Sequence, residues 1–195
     1  MTAAGPSPLM LQKQPCQPDN RHMALLAEGI LKTHWDQSVP VNLARIAKSM
    51  DITVRLADTG DACALLEISL QRKATVTIHP QHDIARQRYG VAHAIAHIAL
   101  HHLRPGMQQA IHISHSYHVD HSERRHSEAN EFALQLLMPE SVVRYSVAQR
   151  QARNVQELAH LFEVPPMLVK QRLADLNLRF PRTLAQQLRP ELFWD

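Results

Sequence analysis

The chain has 195 residues, 45% of them hydrophobic and 20% charged, enough to bury a substantial core and typical of a globular domain with an appendage. Its formal net charge of +3 is too small and too spread to suggest a nucleic-acid partner, because a DNA reader concentrates Lys and Arg on one face. With only Cys16 and Cys63, a structural disulfide is not expected and the chain reads as cytoplasmic. No apolar run approaches the roughly 18–20 residues of a membrane span, and no basic region followed by an apolar core marks a secretory signal. Histidine is the outlier: there are 14, most of them between His79 and His126.

Residues 1–20 carry four prolines and no periodic apolar pattern, and read as a disordered leader. Met23, Leu26, Ala27, Ile30 and Leu31 recur at three- and four-residue steps and predict a helix over 21–34. Asn42 is the expected N-cap of a second helix, with Leu43, Ile46, Ala47 and Met50 as its buried stripe. Residues 52–57 alternate as a half-buried strand does, Thr59-Gly60-Asp61 signals a turn, and 63–70 with 74–79 predict a hairpin. The expectation is a three-stranded antiparallel sheet. A helix over 84–103 follows, then a His-rich connection over 107–121. Further helices are expected over 122–138 and 140–151, followed by a helix–turn–helix-sized pair over 155–162 and 167–176.

The stretch from Tyr89 to His102 organises the rest. Residues four apart share a helix face, so His93 and His97 aim two imidazoles at one point. In the H-E-x-x-H motif that geometry chelates zinc, and the Glu serves as general base. Here the Glu position is Ala94. An H-x-x-x-H pair by itself is a weak signal, and the bland alternative is two histidines on a half-buried helix. The apolar flanks (Val91, Ala92, Ile95, Ala96, Ile98) weigh against it, because two buried imidazoles need partners and a metal satisfies both.

A second helix offers the missing ligand. Its apolar stripe is Ala129, Phe132, Ala133, Leu136 and Leu137. At roughly 100° per residue, His126 projects near that stripe while Glu128 projects the other way. His126 is therefore the favoured third ligand and Glu128 the alternative, with Asn130 placed to hold a ligand in orientation. Three protein ligands from two helices leave a fourth position for water.

Taken in order, Val39-Pro-Val-Asn-Leu43, Arg86-Gln-Arg-Tyr89, Ala92-His93, His97, Glu128-Ala-Asn-Glu-Phe-Ala133, Leu136-Leu-Met-Pro139, Val155-Gln-Glu-Leu-Ala159 and Arg172-Leu173 resemble the ImmA/IrrE-type zinc metallopeptidases. The resemblance covers most of the chain from about residue 25 to 178. It implies an α+β zincin-like fold with a small antiparallel sheet and Zn2+ held between two helices. The implied substrate or binding partner is a helix–turn–helix (Xre-like) repressor, in a prophage, toxin–antitoxin or stress-response setting. Two departures matter. Ala94 stands where the family has its general base, and His126 stands where many members carry a Glu ligand.

Removing a general base costs roughly 10²–10⁴-fold in rate, so peptidase activity of this chain is expected to be very low. The loss reads equally as an engineered knock-out or as natural divergence to a non-catalytic, metal-binding regulator of a repressor. Tyr117, Glu123 and Tyr145 are weighed as substitute proton carriers and read as surface residues. The series His112, His115, His118, His121 is weighed as a second metal loop or a lid, and read as a solvated loop. Lys170, Arg172 and Arg179 are offset by Glu157, Glu163 and Asp175, so the C-terminal pair is expected to recognise protein and not DNA. The predicted organisation is a leader (1–20), a zincin-like metal-binding domain (21–151), a helical extension (152–178) and a tail (179–195).

Overall fold

A computed structural model describes residues 20–103, 110–114 and 124–181. The expected leader over 1–20 lies outside those residues except for Asn20, which is helical, and so do Tyr117, Glu123, His115, His118, His121 and the tail from 182. The elements run α1 (Asn20–His34), α2 (Leu43–Ser49), β1 (Ile52–Leu56), β2 (Ala64–Ile68), β3 (Ala74–Ile78), α3 (Ile84–Ala99), β4 (Ile111–Ile113), α4 (Arg124–Leu137), α5 (Glu140–Ala148), α6 (Val155–Phe162) and α7 (Pro166–Asp175). Helices and a small sheet segregate as the α+β, zincin-like expectation requires.

Local signals act as expected where they are strong. Asn42 Oδ1 accepts from the Arg45 amide at 3.0 Å, capping α2. Asp83 does the same for α3 through the Arg86 amide at 2.9 Å. Gly60, at φ 59°, supplies the left-handed residue that the turn after β1 requires. On α4, Ala129, Phe132, Ala133, Leu136 and Leu137 are all buried, so the predicted stripe is the face that enters the core.

The sheet departs from the expected three antiparallel strands. It has four strands in the order β1-β3-β2-β4, with β1 parallel to β3 (Val54 opposite Val76). The β2–β3 hairpin is antiparallel, with Leu66 opposite Val76. Residues 57–63 carry the chain from β1 past one strand position before β2 begins. At about 3.3 Å per residue they span two strand spacings of about 4.8 Å, and β3 inserts into the gap alongside β1. The fourth strand falls inside the segment expected to be a loop: β4 pairs antiparallel with β2, Leu65 opposite His112. Ile113 is buried there and His112 is exposed, so a three-residue apolar–polar–apolar alternation suffices once β2 offers an edge.

α3 packs on one side against β2 and β3 and on the other against α4, which α1 covers in turn. It ends at Ala99 rather than near Leu103, because His101 takes a left-handed conformation at φ 53° and turns the chain back. The C-terminal pair joins the same core through Leu158, Phe162, Leu168 and Val169. Arg172, only 2% exposed, donates from Nε to the carbonyl of Met138 at 3.0 Å. Glu163 approaches Arg88 of α3 at 3.7 Å. These contacts fasten α7 to the end of α4 and α6 to the beginning of the histidine helix.

Candidate metal centre

The i, i+4 spacing on α3 stacks His93 and His97 on one face, and packing of α4 against that face closes it. His93 is 2% exposed and His97 1%. Their Nε2 atoms lie 3.0 Å apart, and Nδ1 of His126, from the first turn of α4, lies 3.3 Å from Nε2 of His93. Together these three residues form a group whose candidate ligand atoms all fall within 4.8 Å of one another. Glu128 is outside that group. Its carboxylate instead meets His102 Nε2 at 3.2 Å and Arg124 Nε at 2.7 Å.

The outward ring nitrogens are occupied. Nδ1 of His93 faces the Tyr89 hydroxyl at 3.3 Å, and that hydroxyl also donates to Asn130 Oδ1. Nδ1 of His97 faces Nδ1 of His102 at 3.0 Å. With the outer nitrogens engaged, the two Nε2 atoms face each other at 3.0 Å, a spacing at which one ring donates a hydrogen bond to the other or, with the proton of each ring on Nδ1, both offer a lone pair to a cation.

A tetrahedral zinc with bonds of about 2.0–2.1 Å would hold its nitrogens roughly 3.3–3.4 Å apart, close to the His93–His97 and His93–His126 spacings of 3.0 and 3.3 Å. The electrostatics agree. Burial first, and the neighbouring His126 next, push the His93 imidazolium down to about 3, against a smaller opposing effect of Asn130. His97 is likewise driven below its ordinary value by burial and then by His93. Both rings are therefore neutral near pH 7, the form that ligates a cation. The donor set fits a metal ion.

Ala94 is fully buried beside the trio, and its methyl group has no proton-accepting atom. Tyr145 is 57% exposed on α5, and His112 is exposed on β4. Asn130 was expected as a supporting residue and does contact the His93 ring's surroundings through Tyr89. Two contributors had no role assigned from sequence. Tyr89 sits one turn before His93 and could have been found by that i, i+4 spacing. His102 could not, because its position depends on the reversal at His101.

No curated protein matches this chain. The family described as Peptidase_M78, IrrE N-terminal-like domain, matches residues 47–174, a span from the end of α2 to α7 that contains all three clustered histidines. With that match over most of its length, the chain belongs to the ImmA/IrrE-type (Peptidase_M78) metallopeptidase family.

Proposed function

We propose that this chain is a zinc-binding member of the family that engages a helix–turn–helix (Xre-like) repressor, with peptide hydrolysis suppressed at position 94. The observation that carries the reading is the pairing of a complete three-histidine cluster with a buried alanine beside it. His93, His97 and His126 would hold the ion, with Tyr89 and Asn130 orienting His93. Bound zinc supplies Lewis acidity toward a carbonyl and acidifies water. Hydrolysis also needs a group to accept a proton and return it to the leaving amine, and Ala94 cannot. The Glu128 carboxylate is held by His102 and Arg124, and turnover should fall by roughly 10²–10⁴-fold against a Glu-bearing form. The reading carries with it a cytoplasmic location and no direct contact with DNA.

A second reading is a non-catalytic pseudo-peptidase that binds and regulates its repressor in a prophage or toxin–antitoxin switch. A second departure from the family's pattern, His126 where many members carry a Glu ligand, favours it.

The test compares Ala94→Glu with the parent chain, using the repressor encoded beside the gene as substrate. Cleavage by the Glu form and binding alone by the parent support the first reading. Tight binding by both folded proteins, with cleavage by neither, supports the second. A folded, zinc-loaded parent that binds no repressor overturns the partner assignment in both.

A further inference from the structure

We propose that Glu128 and His102 are positioning residues that act in series on His97, a hydrogen-bonded chain that fixes which nitrogen of His97 faces the metal. The inference rests on the metal reading of the three-histidine cluster.

The chain begins with the end of α3. Leu100 is the C-cap, His101 follows at φ 53°, and His102 is the next residue. The His102 amide donates to the carbonyl of His97 at 2.9 Å, and the His101 amide donates to that of Ile98 at 3.1 Å. These are the two bonds of a Schellman motif, a reversal that brings the second residue past the cap against the third residue before it. Commonly that contact joins two apolar side chains. Here it joins two imidazoles, His102 to His97, with Nδ1 to Nδ1 at 3.0 Å. A backbone device used to end helices thus delivers a ring to the outer nitrogen of a ligand candidate.

The protons follow from the acceptors. The Glu128 carboxylate can only accept, so the 3.2 Å contact to His102 Nε2 requires the proton on that nitrogen. A neutral His102 then has a lone pair on Nδ1, and the facing nitrogen of His97 must donate to it. A neutral ring with its proton on Nδ1 presents an unprotonated Nε2, which points at His93 and the cluster. Arg124 holds the other Glu128 oxygen at 2.7 Å and keeps the carboxylate turned inward. The arrangement extends the carboxylate–histidine–metal pattern by one further ring. It also explains why Glu128, on the face of α4 turned away from the apolar stripe, approaches the site without joining the ligand group.

The test uses His102→Phe, His102→Asn, Glu128→Ala and the double variant His102→Phe/Glu128→Ala, each checked for folding by circular dichroism. Zinc affinity is measured by chelator competition and the site geometry by the visible spectrum of the cobalt-substituted protein. His102→Phe and Glu128→Ala should each weaken zinc binding by about 10–100-fold. His102→Asn, whose amide oxygen can take the place of Nδ1, should recover much of the loss. The double variant should bind no more weakly than His102→Phe alone, because Glu128 acts through His102.

Nitrogen NMR of the metal-free chain should place the His97 proton on Nδ1 in the parent and on a mixture of both nitrogens in His102→Phe. Unchanged zinc affinity and an unchanged His97 tautomer in a folded His102→Phe overturn the relay. So does a loss confined to Glu128→Ala, which would make Glu128 a direct ligand. A parent that takes up no zinc but keeps the His97 proton on Nδ1 through His102 overturns the metal reading and leaves the hydrogen-bonded chain standing.

Discussion

The Tyr89 hydroxyl donates to Asn130 Oδ1 and stands 3.3 Å from Nδ1 of His93, so one side chain of α3 joins a ligand candidate to α4. Removing the hydroxyl in Tyr89→Phe leaves the Asn130 carbonyl without that donor and His93 without its neighbour. The unmade bond should lower stability by about 1–3 kcal/mol, and zinc affinity should fall by about 10-fold or more. Thermal denaturation and chelator competition check the two effects, and a variant unchanged in both would show that the hydroxyl does not orient the ring.

Gly90, the next residue of α3, lies close against the start of β2. A Cβ there would come within 3.0 Å of the Ala64 Cβ and 3.2 Å of the Cys63 carbonyl oxygen, whereas among the described residues nothing lies within 4 Å of one added at Gly29 on α1. Gly90→Ala must push α3 from β2 and should cost about 1–3 kcal/mol. Gly29→Ala should stabilise by about 0.5–1 kcal/mol through helix propensity alone. Denaturant unfolding of the pair measures both signs, and equal effects at the two glycines would contradict the close approach.

Glu131 gives the pH dependence. One carboxylate oxygen accepts from Gln171 at 3.0 Å, and the other is buried with no hydrogen-bond partner among the described residues. Burial first, then Asp175, raise its pKa above the usual 4.5, although Arg172 pulls the other way. A carboxyl raised in the folded state binds its proton more tightly there. Its contribution is therefore fully present below 4.5 and is lost as pH rises through the raised value. The melting temperature of the parent relative to Glu131→Gln should accordingly fall from pH 4.5 toward neutrality. A difference that stays constant with pH would contradict the shift.

What could be read from the sequence follows the range of each interaction. His93 and His97 were legible because an i, i+4 pair needs only local helical geometry. His126 was legible because its phase against Ala129 and Phe132 is also local to one helix. The parallel pairing of β1 with β3 was not, since it depends on which strand inserts after the crossing at 57–63. Ile111-His112-Ile113 was hidden by brevity within a His-rich run and by a partner far away in β2. His102 escaped because the helix was expected to run on toward Arg104-Pro105-Gly106, and a histidine in the left-handed position at 101 carries no glycine to announce the stop.

The central claim is that His93, His97 and His126 hold one zinc ion between α3 and α4. The direct measurement is zinc titration of the metal-free chain, followed by calorimetry, beside His126→Ala and His93→Ala. The account predicts one zinc per parent chain, markedly weaker binding by folded His126→Ala, and none retained by His93→Ala. A folded parent that takes up no zinc, or a His126→Ala variant that binds as tightly as the parent, would contradict it.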